Sequence, residues 1–142
     1  MLTKSPKTIV LDAWAVLALI FGEEPAAGVV KGLFEKEFNT KSAVYMSWIN
    51  LGEVYYTIAR RKGQEAADEV LNDLDLLPIT THEPSKSDIL SAAKLKAHYK
   101  LSYADAFALS LAQTLDGTLF TGDPEIVLLE GLFKIERLLR ES

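Results

Sequence analysis

The chain has 142 residues, 49% of them hydrophobic and 25% charged, a composition that suits one folded domain and argues against disorder. It contains no cysteine, which excludes disulfides, thiolate zinc sites and a cysteine nucleophile. Its net charge of −5 opposes nonspecific binding to a phosphate backbone, which needs Lys and Arg, unless the acidic excess gathers where a divalent cation inverts the local charge.

Met1 to Lys7 lacks the long apolar stretch of a signal peptide, and the longest apolar run, Ala13 to Phe21, is too short to span a bilayer. A soluble, cytoplasmic protein is expected. Thr8-Ile9-Val10-Leu11 is a short, β-branched apolar run and reads as a buried strand ended by Asp12. Glu24-Pro25 opens a helix toward Phe38, with Val29, Val30, Leu33 and Phe34 on its apolar face. Ala43 to Met46 is a second strand. Ser47 is the N-cap of a helix reaching about Arg61, in which Leu51, Val54, Tyr55, Ile58 and Ala59 recur at helical spacing. Gly63 breaks that helix, and another follows from Gln64 to about Leu76.

Leu77 to Thr80 is a candidate third strand, restricted by Pro78 to an edge or a strand start. A long helix runs from about Ser85 to Tyr99. The next, Ser102 to Leu115, is apolar nearly all round and must be buried. Thr118 to Thr121 is a fourth strand, followed by Gly122-Asp123-Pro124; Leu132 to Ile135 is the candidate fifth. Strands alternating with helices imply an α/β fold with a parallel sheet covered on both faces. Sites in such sheets form beyond the carboxyl ends of the strands, where strand order reverses. Asp12 and Asp123 both follow strands directly.

Four acidic residues stand out. Asp12 is either a turn-forming or helix-capping residue before Ala13 or a carboxylate aimed into the site crevice. Glu53, in Asn50-Leu51-Gly52-Glu53-Val54, falls near the border of an apolar helix face. Asn50 shares that face and offers a neutral oxygen or a hydrogen-bond donor. Asp105 sits in the first turn of the most apolar helix, in Ser102-Tyr103-Ala104-Asp105-Ala106. A capping box with Ser102 explains its spacing. Its apolar surroundings do not suit a solvated cap, because burying an unpaired carboxylate is costly and a cation offsets that cost. Asp123, between Gly122 and Pro124, is compatible with plain turn chemistry; Thr121 before it either contacts a ligand or ends the strand. Carboxylates converging at one sheet end cannot all stay ionised without cations. Oxygen ligands of this kind suit Mg²⁺ or Mn²⁺ rather than zinc, and such ions support phosphoryl chemistry by activating water.

Other signals are weaker. His82 and His98 lie on polar stretches outside this set. No Gly-x-Ser-x-Gly elbow and no phosphate-binding glycine loop occurs. Arg60-Arg61-Lys62 ends a helix, where cations complement the dipole or touch a nucleic-acid backbone. Trp14 and Trp48 are candidates for base stacking or for packing.

The ordered set Ile9-Val10-Leu11-Asp12, Asn50-Leu51-Gly52-Glu53-Val54, Leu101-Ser102-Tyr103-Ala104-Asp105-Ala106 and Thr121-Gly122-Asp123 resembles the PIN-domain nucleases, and more narrowly the VapC toxins of VapBC toxin–antitoxin pairs. The resemblance runs over essentially the whole chain and implies a single PIN domain over residues 1–142. It implies a three-layer α/β/α sandwich around a mostly parallel, five-stranded sheet. It further implies an Mg²⁺- or Mn²⁺-dependent endoribonuclease acting on RNA phosphodiester bonds, inhibited by a cognate antitoxin and commonly a homodimer. Carried over by motif, Asp12, Glu53, Asp105 and Asp123 are the catalytic acids. Asp12, Asp105 and Asp123 are the metal ligands, with Asn50 and Thr121 in support. Two positions depart from the family pattern: Trp14 stands where many relatives have Ser or Thr, and Ile126 stands where an aromatic is common.

Alternative readings are a housekeeping RNA-processing nuclease of the same fold and a noncatalytic binding module. A haloacid-dehalogenase-like phosphatase needs a second aspartate two residues after the first, where this chain has Trp14.

Overall fold

The computed structural model describes residues 7–35 and 42–141. The β-branched run after Lys7 forms β1 (Lys7–Leu11), the central strand of a five-stranded sheet. The chain continues through α1 (Ala13–Phe21), α2 (Ala26–Gly32), β2 (Ser42–Ser47), α3 (Trp48–Lys62) and α4 (Gln64–Asp75). It then forms β3 (Ile79–His82), α5 (Lys86–His98), α6 (Tyr103–Thr114), β4 (Thr118–Thr121), α7 (Pro124–Val127) and β5 (Ile135–Arg137). The strand order is β3-β2-β1-β4-β5, and every pair is parallel.

Alternation along the strands separates two cores. Ile9 and Leu11 of β1, Val44 and Met46 of β2 and Phe120 of β4 face one way, against α1, α2, α3 and α4. Val10 and Leu119 face the other way, against α5, α6 and α7. The result is a three-layer α/β/α sandwich. The chain leaves β1 toward β2 and β3, then crosses back to β4 and β5. The switch point therefore lies between β1 and β4. Their register pairs Leu11 with Phe120, so one further step sets Asp12 beside Thr121.

Several boundaries differ from the sequence expectation. The apolar run Ala13–Phe21, too short to span a bilayer, is a helix: Asp12 caps it and Gly22 ends it in the left-handed conformation, at φ 65°. No helix among the described residues is long and apolar enough to cross a membrane. The helix expected from Pro25 toward Phe38 is α2, which ends at Gly32; residues 36–38 lie outside the described set. The fifth strand is Ile135–Arg137 rather than Leu132–Ile135. Leu132 and Phe133 instead close turns onto the Leu129 carbonyl, and an edge strand with one half-buried residue carries no apolar run. The third strand starts after Pro78, at Ile79, and is indeed an edge. The short α7, opened by Pro124 at its first position, was not expected.

Candidate functional site

Helix α1 starts where β1 ends, and Asp12 serves both. Its backbone is extended, and its Oδ1 accepts from the Ala15 N–H at 2.9 Å, the ordinary N-cap bond. Its Oδ2 accepts from the Thr121 hydroxyl at the end of β4. Thr121 Oγ1 in turn accepts from the Asp123 N–H at 3.0 Å. One hydroxyl thus ties the two strand-end aspartates together, and it is fully buried. Asp12 is 1% exposed. Burial pushes its carboxyl up to about 7 against the two hydrogen bonds, and the charges of Asp105 and Asp123 add to the rise.

Asp105 and Asp88 are a matched pair in sequence terms. Each occupies the third position of a helix capped by serine. In α5 the box is complete: Ser85 Oγ accepts from the Asp88 N–H, and Asp88 accepts from the Ser85 N–H at 2.8 Å. Asp88 also meets His82 Nε2 at 2.9 Å, and these bonds hold its carboxyl below the usual range. In α6, Ser102 Oγ likewise accepts from the Asp105 N–H, at 3.1 Å. Yet Asp105 is 7% exposed, and its carboxyl is raised to about 7, first by burial and next by Asp123. The cap explains where Asp105 sits in its helix. It does not explain a carboxylate buried among other carboxylates.

Helix α3 brings the remaining groups. Ser47 caps it, accepting from the Ile49 N–H at 3.2 Å. One turn in, Asn50 is fully buried and its Nδ2 donates to the Ala104 carbonyl at 3.1 Å, which ties α3 to the first turn of α6 beside Asp105. Glu53 is one turn further on. Burial and the charge of Asp123 raise its carboxyl. Asn50 Oδ1 and Glu53 Oε1 are both buried without a hydrogen-bond partner among the described residues. Such orphaned acceptors are costly unless a ligand satisfies them.

Glu53, Asp105 and Asp123 line one cleft of about 230 Å³, together with Trp14, Phe21, Glu23, Arg61 and Arg140. Oxygens of Asp105, Asp123 and Glu125 come within 4.8 Å of one another. Asp12 is buried close enough to Asp105 and Asp123 to feel their charge. Each carboxylate oxygen has two lone pairs, so Asp12 keeps acceptor capacity after its two bonds. All four acids singled out in the sequence are therefore brought to the carboxyl end of β1 and β4. Glu125 was missed. Its only signal was its place two residues after Asp123, in the first turn of a helix too short to read from periodicity. His82 and Trp48 line other surfaces.

The donor set is all hard oxygen, with a buried glutamate oxygen that has no partner among the described residues and three convergent carboxylates. It fits a small divalent cation such as Mg²⁺ or Mn²⁺ and offers nothing for zinc's usual Cys and His ligands.

Over residues 9–132 the sequence matches the family model of the PIN domain. The chain belongs to the PIN-domain family. Comparison with curated protein sequences returns no significant match. Solved structures with this fold include VapC20 of Mycobacterium tuberculosis, described as a toxin that cleaves the sarcin–ricin loop. It is 18% identical at TM-score 0.70, over 94% of this chain and 99% of that one. VapBC2 of Rickettsia felis, bound to a promoter DNA fragment, is 17% identical at TM-score 0.68, over 92% and 98%. A toxin–antitoxin complex from Klebsiella pneumoniae is 16% identical at TM-score 0.69, over 94% and 99%. At these identities the likeness establishes a shared PIN fold.

Both departures from the PIN pattern have a structural account. Trp14 packs over Gly122 so closely that a Cβ there would lie 2.3 Å from the indole and 2.7 Å from the Leu138 carbonyl oxygen. The indole thus requires the glycine of Thr121-Gly122-Asp123. Ile126 is fully buried in the core beside α6, a packing role.

Proposed function

We propose that this PIN-domain protein is an Mg²⁺- or Mn²⁺-dependent endoribonuclease, the toxin of a VapBC-type pair, acting as a single domain. The observation that carries this reading is the convergence of Asp105, Asp123 and Glu125 oxygens beside Glu53 Oε1, which has no hydrogen-bond partner among the described residues, at the switch point of a parallel sheet. Asp12, Asp105 and Asp123 would hold the cation. Glu53 and Glu125 complete the acidic wall, and Asn50 and Thr121 keep Asp105 and Asp12 in place. When bound, the cation supplies charge neutralisation at the phosphoryl oxygens and lowers the pKa of water.

The chain's own residues do the rest. With a cation held, Asp12 and Asp105 would be ionised ligands, and Glu53, whose carboxyl is raised by burial and by Asp123, is the group placed to accept a proton from an attacking water. Thr121 holds Asp12 in one orientation. Asn50 fixes the start of α6, which keeps Asp105 from swinging toward solvent. The acidic cleft also suits a basic side chain, so an antitoxin carrying one would compete directly with the cation. The cytoplasm, where RNA and such a partner are found, is the expected compartment, and a homodimer is the expected form.

The test is cleavage of a labelled RNA by the purified protein with Mg²⁺ or Mn²⁺ and with EDTA. Asp105→Asn should lower metal-dependent cleavage at least a hundredfold while the far-UV circular dichroism stays unchanged. Calorimetric titration with Mn²⁺ should give binding to the parent and none to the variant. A parent that binds no Mn²⁺ at millimolar concentration is a noncatalytic module instead.

A further inference from the structure

Two arginines stand in the wall of the acidic cleft, and neither pairs with Glu53, Asp105 or Asp123 among the described residues. Arg61, in the last turn of α3, lies over the Phe21 ring at 4.9 Å. It makes no hydrogen bond or ion pair among the described residues. Arg140 lies over the Trp14 ring at 4.9 Å, and its Nη1 donates to Glu23 Oε1 at 3.0 Å. Trp14, Phe21 and Glu23 line the same cleft.

A cation among carboxylates would ordinarily collapse onto them. Here aromatic faces hold both guanidiniums on the cleft wall, and Glu23 adds a fixed partner for one. A stack uses the face of a guanidinium and leaves its edge donors for a ligand. Arg140 has further support. Its segment is bound on both sides by backbone hydrogen bonds: Leu138 N–H to Thr121 O at 2.8 Å, Ala26 N–H to Leu139 O at 2.9 Å and Glu141 N–H to Glu24 O at 3.0 Å. The close fit of Trp14 over Gly122 fixes the ring beneath it. Thus β4, the α1–α2 connection and the C-terminal segment jointly set the position of one guanidinium.

We infer that Arg61 and Arg140 are substrate-positioning residues that bind phosphates of a single-stranded RNA flanking the phosphate to be cleaved. The inference rests on the nuclease reading above and adds to it the groups that draw a polyanion into an acidic cleft. Trp14, in place of the family's hydroxyl residue, is then the platform for one of them.

Binding of a short, fluorescent single-stranded RNA in Mg²⁺ buffer is measured by anisotropy across a salt series, for the parent, Arg61→Gln, Arg140→Gln and the double variant. Each Gln substitution should weaken binding about tenfold and lower the slope of log affinity against log salt by about 0.7, the value for one phosphate contact on a single strand. Arg61→Lys and Arg140→Lys should keep the slope. In cleavage kinetics, the Gln variants should raise KM and leave kcat within twofold. Arg61→Gln breaks no ion pair among the described residues, so it carries the test if Arg140→Gln loosens the C-terminal segment. Unchanged affinity and slope in a folded double variant overturn the inference, as does a preference for poly-glutamate over RNA. RNA that is cleaved with KM unaltered by either Gln variant refutes the positioning role and leaves the nuclease reading standing. RNA that is bound through both arginines but never cleaved does the reverse.

Discussion

Replacing Asp12 with asparagine should stabilise the metal-free protein at alkaline pH while removing its activity. Asp12 is 1% exposed, and its carboxyl is held at about 7 in the fold against an ordinary 3.8. A carboxyl with a raised folded pKa binds its proton more tightly when folded. Its contribution to stability is therefore complete below about pH 4 and is lost as pH rises through 7. At 1.36 kcal/mol per pH unit, the shift costs up to about 4 kcal/mol at pH 8, where folded Asp12 is ionised, and somewhat under 2 kcal/mol at pH 5, where it must take up a proton on folding. Asparagine keeps the cap, since its Oδ1 can still accept from Ala15 N–H, and Asn is as good an N-cap as Asp. It disturbs the bond from Thr121, at a cost of about 1 kcal/mol. The net gain is about 3 kcal/mol at pH 8 and under 1 kcal/mol at pH 5. For a domain of this size that is roughly 6–12 °C in Tm at pH 8 and less than 4 °C at pH 5. Thermal melts followed by circular dichroism in EDTA at both pH values read this directly. An Asp12→Asn variant no more stable than the parent at pH 8, or stabilised equally at both pH values, would refute the claim that burial of charge governs this residue.

Added Mg²⁺ should raise the parent's Tm more at pH 8 than at pH 5.5, because Asp12 and Asp105 hold protons at the lower pH and those protons compete with the cation; equal shifts at both pH values would count against metal binding at these groups. Thr121→Val removes the hydroxyl between Asp12 and the Asp123 N–H and should cost about 1–3 kcal/mol of stability and tenfold or more in Mn²⁺ affinity, measured by urea denaturation and calorimetry. Gly122→Ala drives a Cβ into the Trp14 indole and the Leu138 carbonyl; about 1–3 kcal/mol of destabilisation is expected, together with a shifted tryptophan emission spectrum, and an unchanged spectrum would show that the contact is not tight. Asn50→Leu removes the bond to the Ala104 carbonyl and should reduce metal-dependent cleavage, assayed on RNA, more than it reduces Tm.

Acidic residues in the same local setting answer different physical demands. Asp88 and Asp105 begin from the same local pattern, a serine cap followed three residues later by an aspartate, and end with opposite shifts. The serine cap is common to both, but only the Asp88 carboxylate also accepts from its cap's N–H and meets a histidine among the described residues. What also differs is that α5 lies with its first turn toward solvent, whereas α6 is sealed between the sheet and its neighbours. The same separation acts on the arginines. Arg60 stacks on Tyr56 of its own helix, while Arg61, one residue on, reaches Phe21 of α1 inside the cleft.

The sequence by itself determined the elements and the candidate acids. Short apolar runs, period-3.6 patterns, serine caps before α3 and α6, and strand-ending aspartates are local signals, so the parallel sheet covered on both faces and the location of Asp12 and Asp123 were legible without coordinates. An apolar run does not carry its own periodicity, however, which is why α1 was unassigned and why Leu132–Phe133 read as a strand although they form a turn. Tertiary structure alone decided that Glu125 joins Asp105 and Asp123 and that Thr121 bridges two aspartates across the β1–β4 register. It also decided that Trp14 and Arg140, at opposite ends of the chain, meet at the cleft. Each of these is a contact between distant segments whose distance depends on strand order and register, and those are set by the packing of the whole chain rather than by any stretch of it.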